Sequence, residues 1–293
     1  MSAFRLDRSL TLYFVRPICR VAASGRSPLL PILMYHSISD DAEAGVSPYY
    51  RVATSPRRFA EQMEWLIECG CRGVSLEEGL NSLGKNGSTR PAVAITFDDG
   101  FRDFYTAAWP VLREYEFTAT MYLPTAYVAN QRKSFLGREC LTWGEVRELR
   151  RQGIRFGSHT VNHPKLYELS WNEIASELRL SKNQIEQELN EEVRSFAYPF
   201  AYPQEDRSFT QTLAGILHDH GYQSCATTVI GRVNACDDRL CSKRLPVNSC
   251  DDRDLFMAKL AGNYDWLGWP QQWHRVVRSW GRVRRAGQGP PPQ

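Results

Sequence analysis

The feature that most constrains this chain is a repeated alternation of short apolar runs with segments that carry helical spacing and helix caps. Pro31–Tyr35 reads as a short buried strand. Ser55 and Pro56 then open a helix as cap and first-turn proline, with Phe59, Met63, Leu66 and Ile67 on one face and a stop near Gly70. Leu76–Leu83 reads as a second, shorter helix, and Ala92–Phe97 and Thr118–Leu123 as strongly apolar strands. Thr142-Trp143-Gly144-Glu145 and Ser170-Trp171-Asn172-Glu173 have the form of capping boxes. The first opens a helix ending near Gly153, the second a longer one carrying Ile174, Leu178, Ile185 and Leu189. Ile154–Gly157, Ser195–Tyr198, Tyr222–Thr227 and Lys243–Val247 are the remaining strand candidates, with a helix over Ser208–His220 between two of them. Strands separated by helices form parallel sheets, because a parallel neighbour needs a crossover. The predicted class is α/β, a distorted (β/α) barrel of about seven parallel strands. An open doubly wound sheet is the competing arrangement, although no Gly-rich phosphate fingerprint marks one.

At 293 residues, 42% hydrophobic and 24% charged, the chain can bury a sizeable core without staples. A net charge of +3 does not suggest a nucleic-acid binder. The charge is unevenly placed: Arg5, Arg8, Arg16, Arg20 and Arg26 stand against Asp7 alone near the start, and His274–Arg285 holds five arginines and no acid. The expected organisation is a basic N-terminal segment (1–29), a catalytic domain (30–260), a basic amphipathic helix (261–286) and a disordered tail (287–293). In the third of these, Trp269, Trp273, Val276, Val277, Trp280 and Val283 share a face. Packing across the barrel is the plain reading of that helix, and contact with an anionic membrane surface the alternative. The eight cysteines form no CxxC pair and suit a reducing compartment, with a Cys236–Cys241 or Cys241–Cys250 bridge left open. The run Leu10–Val15 is too short for a membrane span and for a signal-peptide core, so a cytoplasmic location is expected.

Polar groups gather where the strands end. Asp98, Asp99 and Gly100 follow Ala92–Phe97; adjacent carboxylates repel, and one tends to neutralise unless a cation is near. Seen alone, such a sequence reads first as a strand-to-turn exit. His159 and His163, in Gly157–Pro164, stand at i and i+4, a spacing that can place both imidazoles on one face of a helical turn; surface or capping histidines are the alternative. Tyr198 ends a third strand before Pro199, and His36 ends the first. All four sites fall at C-terminal ends of predicted parallel strands, the face that carries active sites in barrels. Two histidines and a carboxylate leave a coordination position for water, as in a catalytic metal site.

Thr96–Gly100, His159–Pro164 and Arg194–Pro199 resemble, in order and spacing, the three leading motifs of the polysaccharide deacetylase family, which includes the chitooligosaccharide deacetylases. The resemblance covers roughly residues 30–250. It implies a metal-dependent hydrolase that removes N-acetyl groups from an amino-sugar polymer, oligomer or glycoconjugate. Asp99, His159 and His163 would hold a divalent metal, commonly zinc, and Asp98 would be the general base. Arg194 resembles the arginine that orients that base, and the Tyr198 N–H resembles an oxyanion donor. The implied partner is an N-acetylated carbohydrate.

The chain departs from the common pattern in two places. No clear match exists for the late Leu-x-His motif that supplies the acid, since Leu217-His218 lies in a predicted helix and His274 in the basic tail. Leu33–His36 resembles the Tyr-His opening of the branch acting on biofilm polysaccharides, which makes His36 the expected acid, with His218, His220 and His274 as rivals. Ala201 also stands where a glycine is usual. An O-acetyl esterase, a non-sugar amidase and an inactive carbohydrate-binding relative are the alternative functions.

Overall fold

A computed structural model describes residues 5–17, 29–84, 90–269 and 271. Its centre is a sheet of eight parallel strands: β1 (Ile32–Tyr35), β2 (Arg72–Val74), β3 (Ala92–Phe97), β4 (Thr120–Leu123), β5 (Arg155–Ser158), β6 (Ser195–Ala197), β7 (Ser224–Ile230) and β8 (Ser242–Pro246). The order β1-β8-β7-β6-β5-β4-β3 closes on itself because β3 also pairs with β1, Leu33 lying opposite Ile95 and Tyr35 opposite Phe97. Seven strands therefore make a closed barrel. The eighth, β2, pairs only with the first half of β3, where Arg72, Gly73 and Val74 face Ala92, Val93 and Ala94. β3 and β4 are in register only at Thr96–Thr120 and Phe97–Met121, and β2 fills the space below. This is the distortion of the barrel.

Helices α1 (Leu6–Leu10), α2 (Pro56–Glu68), α3 (Leu76–Ser82), α4 (Trp109–Glu114), α5 (Trp143–Arg151), α6 (Trp171–Leu189), α7 (Arg207–Asp219) and α8 (Arg253–Leu260) accompany the sheet. Both expected capping boxes form, on α5 and α6. Strand β2, the helical stretch Phe104–Glu114 and α8 were not read from the sequence, being too short or too weakly periodic to stand out.

Period-two alternation decides which side chains meet the helices and which fill the barrel. Leu33, Tyr35, Val93, Ile95, Phe97, Met121, Leu123 and Phe196 join the large outer core, each essentially inaccessible to solvent. Burying side chains of this size stabilises by about 1.5–3 kcal/mol each. The opposite parity carries Ile32 and otherwise mostly small or polar residues, among them Ala94, Thr96, Ala197, Ala226 and Ser242. Two long side chains, Tyr122 and Arg244, are buried among them. Tyr122 needs room that only a glycine provides, because a Cβ on Gly157 would stand 2.5 Å from its ring. Asp98 shares the parity of Ala94 and Thr96 and so points inward at the barrel mouth.

Residues 5–17 dock against the end of the domain rather than extending from it. Arg5 reaches Asp251 at 2.9 Å, Arg8 reaches Asp252 at 2.6 Å, and the Tyr264 hydroxyl donates to Asp7 at 2.6 Å. The seven described cysteines are all free, so neither bridge left open by the sequence forms. Among the described residues no helix is long and apolar enough to cross a membrane. Most of the amphipathic helix expected over 261–286 lies outside the described residues; within residues 261–269 the chain forms turns and a short helical turn at Asp265–Leu267.

Candidate active site

The end of β3 separates two adjacent carboxylates. Asp98 is extended and turns inward. Asp99 takes φ +71° and Gly100 φ +63°, so the chain reverses and Asp99 swings toward the end of β5. An aspartate tolerates that left-handed conformation better than most residues, and glycine tolerates it freely.

Asp99 meets the two histidines there. Its Oδ1 lies 3.6 Å from His159 Nε2 and 3.3 Å from His163 Nε2, and one ligand atom of each residue falls within 4.8 Å of the others. His159 Nδ1 is 2.8 Å from the Ala197 carbonyl. A carbonyl only accepts, so Nδ1 carries the proton and Nε2 presents a lone pair. Asp99 Oδ1 is buried with no hydrogen-bond partner, and the Nε2 atoms of both histidines face it. Acceptors converging in a buried space are costly unless a cation joins them. The three side chains fit a divalent metal.

The ionisation of these groups agrees. Burial first, then the charge of Asp98, pushes Asp99 up to about 8. Burial brings His159 down to about 4, and burial with the neighbouring His159 brings His163 to about 3. Both imidazoles are therefore neutral and available as ligands at neutral pH.

His159 and His163 do not share a helical turn. The segment between them is irregular, with Thr160 at φ +68° and His163 at φ +54°, and Pro164 disfavours helix in the residue before it. The loop is held from α6: Glu177 accepts from the N–H of Val161 at 2.7 Å, the N–H of Asn162 at 3.0 Å and the Asn162 side chain at 2.7 Å. The Thr160 hydroxyl accepts from the His163 N–H at 3.0 Å.

Asp98 is clamped by a residue the sequence reading missed. Arg244, from β8, donates to both carboxylate oxygens at 2.7 and 2.8 Å, and its Nε donates to the Thr227 carbonyl at 2.9 Å. Burial opposes the charged form of Asp98, but Arg244, helped by His159 and His36, holds the carboxyl well below the usual carboxylate range. The available signal was weak: Arg244 stands beside Lys243 in a short strand candidate, and only the apolar Leu245–Val247 that follow it suggest that it enters the interior.

Arg194 does not take the expected role. It precedes β6, at the strand's entry end, where its half-exposed side chain pairs with Glu192 at 2.7 Å. It lines a depression with Glu77, Arg155 and Arg239, at the opposite end of the strand from Tyr198. Nor is the Tyr198 N–H free to serve as an oxyanion donor, because it donates to the Ala226 carbonyl at 2.9 Å and extends the β6–β7 ladder.

His36 does reach the site, with Nε2 3.9 Å from Asp98 Oδ2 and the side chain about one-fifth exposed. The nearby carboxylate does not raise its pKa. Burial drives it down to about 4, with Arg244 adding to the effect, and Asp98 offsets only part of this. His218 is exposed beside Asp219 at the C-terminal end of α7, while His274 lies outside the described residues. Aromatic rings wall the histidines: Phe135 lies 5.1 Å and Phe200 4.6 Å from the His163 ring, centroid to centroid.

A buried Asp and His pair around a cation-shaped space, with a second, clamped aspartate beside it, is a hydrolytic arrangement, and comparison with known proteins agrees. Residues 85–225 match the family model described as polysaccharide deacetylase. This stretch of the chain carries the signature of the polysaccharide deacetylase family. YxkH of Bacillus subtilis (strain 168), named for the same family, is 30% identical over 203 residues, 69% of this chain and 65% of that protein. The poly-β-1,6-N-acetyl-D-glucosamine N-deacetylase of Staphylococcus aureus is 24% identical over 60% of this chain and 63% of its own length. The chain thus spans a little under two-thirds of these curated relatives. Among solved structures, the Streptococcus pyogenes deacetylase PplD in complex with acetate superposes with a TM-score of 0.67 at 26% identity, over 80% of this chain and 99% of PplD.

Proposed function

We propose that this chain is a metal-dependent hydrolase that removes N-acetyl groups from an amino-sugar polymer or oligomer. The observation that carries the reading is the convergence of Asp99, His159 and His163 beside Asp98 at the C-terminal mouth of the barrel. Two imidazoles and one carboxylate form a donor set suited to zinc with one open position. A divalent ion held there supplies Lewis acidity, polarising the acetamide carbonyl and acidifying the attacking water.

The chain's own residues do the rest. Asp98 stays ionised across the working range and receives the water proton on a lone pair that Arg244 does not use. Arg244 fixes the carboxylate's orientation. His36, neutral at rest and 3.9 Å from Asp98, is placed to pick up a proton during the reaction and deliver it to the departing amine. That assignment would place the chain with the early-histidine branch. The poly-β-1,6-N-acetyl-D-glucosamine substrate of the staphylococcal relative makes a β-linked N-acetylglucosamine oligomer the first substrate to try.

Acetate release from such an oligomer, before and after chelation and zinc re-addition, tests the reading. Release should stop on chelation and return with zinc. A metal-loaded protein that cleaves an acetyl ester but leaves every oligosaccharide intact points instead to an O-acetyl esterase.

A further inference from the structure

The helix at the start of the chain docks by its polar side. α1 runs on without a break into a π-helical stretch, Thr11–Val15. Arg5, Arg8 and Arg16, in and beside this helix, pair with Asp251, Asp252 and Asp254 at 2.9, 2.6 and 3.3 Å. Asp7 accepts from the Tyr264 hydroxyl, and Thr11, wholly inaccessible to solvent, accepts from the Trp266 indole at 3.0 Å. The apolar side faces out: Leu6, Tyr13 and Phe14 are 60%, 71% and 63% exposed. Tyr13 and Phe14 follow Leu6 by about two helical turns, so the three share one face.

A helix that only covers a core docks by its apolar side. Here ion pairs hold the helix and leave its hydrocarbon in water, which is unfavourable unless a partner takes it up. Trp269, 72% exposed, lies three residues beyond the Trp266 that meets Thr11 and so stands near the same edge of the domain. The charge there is one-sided. Between Thr11 and Ser39 the chain carries Arg16, Arg20 and Arg26 and no acid, and from Trp266 to the last residue it carries five arginines and no acid. Both stretches begin at the helix or beside it, and the acids beneath it, Asp251, Asp252 and Asp254, are taken by its own arginines. Aromatic rings flanked by arginines match the surface of an anionic bilayer, where rings settle at the level of the headgroups and cations meet the lipid charge. Covering this face with a second copy, or with the chain's own arginine-rich C-terminal stretch, would set like charges against each other.

We propose that the face formed by Leu6, Tyr13 and Phe14 is a docking surface for an anionic lipid bilayer, which holds the barrel at the membrane as a peripheral protein. The ion pairs of Arg5, Arg8 and Arg16 fix the helix to the domain with its rings pointing away, and the rings enter the headgroup layer without any segment crossing the bilayer. This surface is separate from the metal site and does not depend on the reaction assigned to it.

Cosedimentation of the full chain with lipid vesicles tests this. Binding to vesicles of equal parts phosphatidylglycerol and phosphatidylcholine should be strong at low salt and fall as salt rises, and binding to pure phosphatidylcholine should be slight. Tyr13→Gln/Phe14→Gln keeps side chains that favour a helix and should weaken binding by about tenfold or more, since each ring withdrawn from water is worth that order. Without lipid, the double variant should melt at the wild-type temperature and keep the wild-type size in solution. Wild-type protein that ignores the phosphatidylglycerol vesicles overturns the proposal. So does a double variant that binds as wild type does, which leaves the arginines alone responsible. A variant that melts lower without lipid, or changes its oligomeric state, also overturns it, because the face is then covered by the chain's own C-terminal stretch or by a second copy.

Discussion

Arg244 and Asp98 meet inside the barrel as a two-pronged ion pair, 2.7 and 2.8 Å long, with neither side chain more than 3% exposed. Removing one partner strands a buried charge, which typically costs about 3–5 kcal/mol. Arg244→Met should therefore lower denaturant stability by that order. It should also move the acid limb of the pH–rate profile upward. With Arg244 present, Asp98 is ionised at every working pH; without it, burial loses its main opponent and the carboxyl takes up a proton at higher pH. A variant with wild-type stability and an unmoved acid limb removes Arg244 from this role.

Asp98→Asn separates the base from the metal. Asp98 is not among the three converging ligands, so metal content by elemental analysis should stay near one ion per chain. Turnover should fall by about 10²- to 10⁴-fold. Near-normal turnover in the loaded variant excludes Asp98 as the base.

Metal uptake should release a proton at neutral pH. The ligand form of Asp99 is the carboxylate, yet its pKa without an ion is about 8, whereas His159 and His163, at about 4 and 3, are already neutral. Affinity should rise with pH up to about 8 and then level off. The same shift has a stability sign. The folded state without metal holds a proton on Asp99 that the unfolded chain has lost, so its stability falls as pH rises from about 4 to about 8. The Tm gained on adding zinc should widen over that interval. Calorimetry in two buffers, with melting curves at several pH values, reads both effects. A His159→Ala/His163→Ala variant that keeps its full metal content contradicts the site.

Glu177 supports the ligand loop without touching the proposed metal. Its three hydrogen bonds hold Val161 and Asn162 between the two histidines. Glu177→Ala should weaken metal affinity by about 10- to 100-fold, the usual effect of losing an outer-shell contact, with the fold retained by circular dichroism. Unaltered zinc affinity shows that the loop holds its shape unaided.

His36→Ala should reduce turnover while leaving metal content and the Arg244–Asp98 pair intact. Because burial keeps His36 neutral at rest, the defect should be largest with substrates whose amine leaves slowly, and smaller with an acetyl ester whose leaving group needs no proton. Equal turnover by wild type and variant on the oligosaccharide moves the acid elsewhere.

The sequence by itself determined the alternation of strands and helices, because capping boxes and apolar periodicity are local. It also determined which positions end strands, and so placed Asp98, Asp99, His159, His163 and His36 on one face before any contact was known. What only the tertiary structure decided is which distant side chains reach them. Arg194 lies near Tyr198 in sequence, yet it sits at the entry end of β6 and pairs with Glu192. Arg244 is 146 residues from Asp98, yet it clamps it. Closure of the barrel brings β8 beside β1 and β1 beside β3, and the pleat turns Arg244 inward. The same holds for Tyr198, whose N–H is taken by Ala226 once β6 lies beside β7. Strand pairing and stagger are properties of the closed sheet, and no run of neighbouring residues encodes them.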